Sequence, residues 1–137
     1  MKIRLHEYNL PLTHPFTISR GTITVQDTLI VELQQEGVSG YGEAPVNPYY
    51  AAAMADMKDR FTGMESVLAG HTFRDTDSFW TLCSEHLYDA PFVLAALDCA
   101  AHDMWGRLEN APVHRLWGFD PNDSVNSSFT IGIAEVD

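Results

Sequence analysis

Up to Ala44 the apolar residues of this chain alternate with polar ones or fall in short β-branched runs; after Pro45 and Pro48 they recur every three or four positions. A period of two lines one face of a strand and a period near 3.6 lines one face of a helix, so a sheet comes first and helices follow. Strands followed by helices, rather than interleaved with them, define an α+β class. The 137 residues suffice for one compact domain and not for two.

From Lys2 to Leu10, Ile3 and Leu5 stand out of phase with Lys2, Arg4 and His6, the pattern of a half-buried strand that Pro11 ends. Thr13 to Thr22, dense in turn formers and without period, reads as a loop. Val25 to Leu33 is a second strand, and Gln34 to Gly37 a polar turn closed by a glycine able to take positive φ. Val38 to Ala44 returns as a third, where Gly40 and Gly42 signal a close backbone approach or a bulge. Together these make a three-stranded antiparallel meander.

Helix is expected from Ala51 to Leu68, with Met54, Met57, Phe61, Met64 and Leu68 on one face. A second begins at Asp75 or Thr76 and carries Phe79, Leu82 and Leu87. Pro91 to Leu108 is alanine-rich and apolar nearly all round, which makes it the central buried helix. Pro112 opens a short fourth helix that stops at Trp117-Gly118. After the loop Asp120 to Asp123, the segment Val125 to Ile133 has a strand pattern but no partner within reach. It reads as the start of a second domain, dividing the chain into residues 1–120 and 121–137.

Eight Lys and Arg against nineteen Asp and Glu give a net charge of −11, with no basic run, which excludes nucleic acid and anionic membranes as partners. No stretch approaches the roughly 18 apolar residues of a membrane span, and the N-terminus lacks the apolar core of a signal peptide, so the cytoplasm is expected. Cys83 and Cys99 lack metal or redox spacing and read as two buried thiols. Asp98, His102 and Asp103 share a helical segment, but no further ligand completes a metal site, so they are expected to pair with each other or with backbone. Glu43, beside Gly42 at a strand end, reads as a structural acceptor, and the methionine stripe as core.

Three separated motifs remain. Pro15-Phe16 with Ile18-Ser19-Arg20-Gly21 lies between the first two strands. Gly37-Val38-Ser39-Gly40-Tyr41-Gly42-Glu43-Ala44-Pro45 ends the meander. Ala96-Leu97-Asp98-Cys99-Ala100-Ala101-His102-Asp103 continues to Pro112-Val113, Leu116 and Gly118. In this order the chain resembles the N-terminal capping domain of the enolase superfamily, in the mandelate racemase and muconate-lactonizing branch nearest the dipeptide epimerases.

The resemblance implies that Val125 to Ile133 is the first strand of a truncated (β/α) barrel. The intact enzyme would be a Mg2+-dependent isomerase that removes a proton α to a carbonyl and passes through an enolate. Its catalytic and metal-binding residues would lie on later barrel strands, so the resemblance assigns this chain neither catalytic residues nor metal ligands and predicts it inactive alone. Its partners would be its own barrel and a dipeptide or related carboxylate, and a homo-oligomer stays open for the intact enzyme. Capping loops would run from Thr17 to Thr22 and from Pro45 to Tyr50, with Thr17, Ile18, Ser19, Gly21, Pro48 and Tyr49 among their residues and Arg20 and Thr130 touching substrate. The competing expectation is a non-catalytic binding or assembly module that retains the cap fold.

Overall fold

The structure, a computed structural model, describes residues 1–123, 125–130, 132 and 133. Three antiparallel strands, β1 (Lys2–Ile18), β2 (Gly21–Gln35) and β3 (Val38–Pro45), lie in the order β1-β2-β3. Leu29, Val31 and Leu33 alternate along β2 and are fully buried, the face that the periodicity assigns to the core. The β2–β3 turn places Glu36 at φ 53° and Gly37 at φ 82°. Positive φ at both central residues matches the twist of a two-residue hairpin.

The expected loop from Thr13 to Thr22 is instead the distal part of a long β1–β2 hairpin, with Pro11 opposite Val25, Phe16 opposite Ile23 and Ile18 opposite Gly21. The β-branched run Thr22 to Val25 supplies the partner strand. Pro11 and Pro15 are tolerated because β1 is an edge strand, and a register shift between Pro11 and Phe16 accommodates them. Only Ser19 and Arg20 remain as turn, closed by a hydroxyl pair between Thr17 and Thr22 at 2.9 Å.

Four helices follow: α1 (Met54–Ala69), α2 (Thr76–Leu87), α3 (Pro91–Leu108) and α4 (Val113–Leu116). The first starts later than Ala51 because a compact turn precedes it. There the Asn47 side chain accepts from the Tyr49 amide at 3.1 Å, Asn47 and Ala52 bond each other's backbone, and Ala51 sits at φ 54°. The α2 N-terminus is capped by Asp75, whose carboxylate accepts from the Ser78 amide at 2.7 Å.

Helix α3 lies on the sheet against β2 and β3, with Ala96, Leu97, Ala100, Ala101 and Met104 fully buried. The β2–β3 register is continuous, so Gly40 and Gly42 mark close approach and not a bulge. A side-chain carbon at Gly40 would collide with Ala100 O and Met104 N; at Gly42, with Ala96 O. Phe61, Met64 and Leu68 from α1 and Phe79 and Leu87 from α2 complete the core.

On the outer face of the sheet Glu32 is nearly buried under its neighbours. It accepts from Ser39 Oγ at 2.7 Å, is hydrogen-bonded to His6 Nε2 at 3.0 Å and lies 3.6 Å from the Arg4 guanidinium. The Ser39 hydrogen bond above all, then His6, holds its carboxyl below the usual carboxylate range.

Residues 125–130, 132 and 133 form no regular strand, contrary to the expectation for Val125 to Ile133. Among the described residues no ladder strand runs beside them; the Ile133 amide donates to Thr17 O at 2.8 Å. Part of the expected strand, Ile131, and the residues from Ala134 to Asp137 lie outside the described residues, as does Ser124. No helix among the described residues is long and apolar enough to cross a membrane.

Candidate substrate-capping site

A cleft of about 440 Å³ opens between the tip of the β1–β2 hairpin and the turn after β3. Phe16, Ile18, Ile23, Val46 and Pro48 make its walls apolar, while Arg20, Gln26 and Asn47 supply the polar groups. The Arg20 guanidinium carbon lies 3.8 Å from the centroid of the Tyr49 ring. That cation–π contact joins two segments far apart in sequence, and a guanidinium stacked on a ring can still donate from its N–H edge. Among the described residues Arg20 forms no ion pair, and it is the one cationic side chain lining this cleft.

Local structure holds each wall in place. Tyr49 is fixed by the Asn47 cap, packs edge-on to Tyr50 with ring centroids 4.7 Å apart, and through Tyr50 reaches Phe92 of α3 at 5.8 Å. Gln26 donates to Val46 O at 3.0 Å, tying β2 to the start of the turn. Asn47 lies within the expected capping loop Pro45 to Tyr50, though the sequence alone does not reveal its capping role, and Gln26, inside a strand, lies outside both expected loops.

Of the site residues expected from sequence, Arg20, Ile18, Gly21, Pro48 and Tyr49 line this one cleft. Ser19 stands at the hairpin turn, and Thr17 lies just below it, bonded to Thr22. Thr130 is exposed and does not line the cleft, although Gly132 two residues later touches Phe16 and Thr17.

The acidic residues singled out on α3 have partners. His102 Nδ1 bonds the Asp98 backbone carbonyl at 2.9 Å and lies 3.4 Å from its carboxylate, and Asp103 accepts from the Tyr41 amide at 2.9 Å and from Arg107 Nε at 3.1 Å. Glu43 accepts from Thr28 Oγ1 at 2.9 Å, the structural role expected of it. Among the described residues no three His, Cys, Asp or Glu side chains gather as ligands.

Cys83 is buried, but Cys99 is exposed, correcting the expectation that both are buried: Ala95 and Cys99, one turn apart, form a narrow solvent-facing stripe on α3. Burial first, and Asp98 nearby second, push the Cys83 thiol up to about 12; the same two causes raise Cys99. A thiol-directed reagent at neutral pH is therefore expected to label Cys99 slowly and leave Cys83 unlabelled until the protein unfolds. Equal labelling of both in the folded state, read by mass spectrometry, would contradict this packing.

The meander, the helices behind it and the cleft at one end define a capping domain of the enolase superfamily. Residues 1–118 match the N-terminal domain of the mandelate racemase / muconate lactonizing enzyme family, and the chain belongs to that family. An L-Ala-D/L-amino acid epimerase of Flavobacterium johnsoniae is 40% identical over 137 residues, which are 100% of this chain and 41% of that protein. The L-Ala-D/L-Glu epimerase of Bacteroides thetaiotaomicron is 32% identical over 97% of this chain and 34% of its own length. A dipeptide epimerase from Enterococcus faecalis, solved with Mg and L-Leu-L-Tyr, superimposes with a TM-score of 0.84 at 26% identity, covering 98% of this chain and 38% of that one. The chain spans about two fifths of the length of these epimerases of Flavobacterium and Maribacter that it matches. Among the described residues of this chain no group of His, Cys, Asp or Glu side chains gathers that could hold the magnesium present in that Enterococcus structure.

Proposed function

We propose that this chain is the substrate-capping part of a Mg2+-dependent dipeptide epimerase, with residues 1–120 forming the cap and 121–137 opening the catalytic (β/α) barrel. The Arg20–Tyr49 stack carries the reading, because it joins the two capping segments around a cleft whose one cation is free to meet an anion. The similarity to dipeptide epimerases supports the substrate class.

The apolar walls exclude water from the distal part of the dipeptide. The N–H edge of Arg20 takes a carboxylate by two parallel hydrogen bonds, and the preset stack lowers the ordering cost of that contact. Thr130 approaches the substrate from the barrel side. The proton α to the carbonyl is taken by a base outside this chain, giving an enolate, and a second group there delivers a solvent-exchangeable proton to the opposite face. The metal ligands likewise belong to the rest of the protein.

The test is solvent deuterium exchange with L-Ala-L-Glu and Mg2+ in D2O. The full-length protein is expected to incorporate deuterium at the α-carbon of the glutamate, and the 137-residue chain alone to incorporate none. Exchange by the short chain would place the chemistry within it, and no exchange by the full-length protein across a dipeptide panel would sink the epimerase reading.

A further inference from the structure

The tip of the β1–β2 hairpin lies beyond the register shift between Pro11 and Phe16 and is held by the pairs Phe16↔Ile23, Thr17↔Thr22 and Ile18↔Gly21. Ile18 and Ile23 are exposed there, so little apolar burial anchors it. An isolated two-stranded ribbon of this length is marginal in water. Two contacts tie the tip to distant parts of the chain: Arg20 on the Tyr49 ring, and the Ile133 amide donating to Thr17 O at 2.8 Å.

The second contact depends on Gly132. A side-chain carbon there would lie 3.2 Å from Thr17 O, 3.5 Å from Thr17 N and 3.6 Å from Phe16 Cδ2. The tightest of these is against backbone, so an added carbon would push Thr17 away by a few tenths of an ångström and weaken the hydrogen bond at Ile133.

We infer that Gly132 and Ile133 form a backbone latch that positions the Arg20 hairpin over the cleft. Both act through Thr17 and are positioning residues, not substrate ligands. The latch also couples the two candidate substrate contacts, since it joins the segment of Thr130 to the strand that leads into Arg20. Its effect on substrate rests on the epimerase reading; its effect on the hairpin does not.

Gly132→Ala in the full-length protein is expected to speed amide hydrogen exchange across residues 16–23 by about tenfold while leaving α3 unchanged, because the loss is local. For L-Ala-L-Glu it is expected to raise KM by about tenfold with kcat within about twofold, as loosened positioning of a remote contact does. Unchanged exchange in the folded variant overturns the latch. Faster exchange in a protein whose wild type acts on no dipeptide supports the latch and removes the epimerase reading. Should Gly132→Ala not fold, Tyr49→Ala decides. With the latch holding, exchange across residues 16–23 rises by less than about threefold, whereas release to the rate of an unprotected peptide overturns it.

Discussion

Replacing Gly42 by alanine is expected to lower the unfolding free energy by about 3 kcal/mol or more, the upper part of the range for overpacking a rigid core. The added carbon would overlap Ala96 O and lie 2.9 Å from Ala100 N, both backbone atoms of a helix that is buried along this face. No rotamer change relieves the clash, so α3 must lift from β3 and open the contacts of Leu97 and Ala100 with it. Against a typical total of about 5 to 15 kcal/mol, such a loss leaves the domain marginal. Gly63→Ala is the internal contrast. Gly63 lies within α1 with nothing within 4 Å of an added carbon, so the same substitution is expected to stabilise by about 0.5 to 1 kcal/mol. Urea denaturation of the two variants measures both, and equal midpoints would contradict the packing of α3 on the glycine strand.

The same glycines show how far local sequence carries. Gly40 and Gly42 stand at alternate, inward positions of a strand, which is enough to announce a close approach, but the atoms approached lie some sixty residues away in α3. Periodicity made β3 and the inner part of β2, from Val25 to Leu33, legible, and Pro91 with the alanine-rich apolar run marked α3. The hairpin beyond Pro11 was not legible. Its residues are individually turn formers, and only pairing with Thr22 to Val25 makes them a strand. Cys99 misled for the opposite reason: a helix apolar almost all round does not reveal from its sequence which narrow stripe faces solvent. At the cleft, Arg20 and Tyr49 were legible as members of two loops through family resemblance, whereas their stacking is a tertiary fact, created by the turn that Asn47 caps. Val125 to Ile133 has the pattern of a strand, but a strand shows as such only beside a partner, and among the described residues it makes one backbone bond to β1, from the Ile133 amide to Thr17 O.

Substituting Arg20 by methionine in the full-length protein is expected to reduce kcat/KM for L-Ala-L-Glu by about 30- to 100-fold, mostly through KM, as loss of a charge-assisted pair worth about 2 to 3 kcal/mol would. Methionine removes the guanidinium, and with it the charge, the N–H donors and the stack on Tyr49, but keeps an unbranched apolar stem, and the hairpin tip stays where the Thr17 bond and the Thr17–Thr22 pair hold it. Tyr49→Ala should cost less, about three- to tenfold, since it removes a cation–π contact of about 0.5 to 1 kcal/mol and leaves the guanidinium present. A dipeptide with a neutral C-terminal side chain separates the two roles open to Arg20. If the loss vanishes with that substrate, Arg20 reads the acidic side chain and sets specificity. If the loss is equal for both, Arg20 holds the carboxylate that every dipeptide carries. Unchanged kinetics with both substrates would make it a solvated arginine resting on a tyrosine, and the cleft would lose its only cationic anchor.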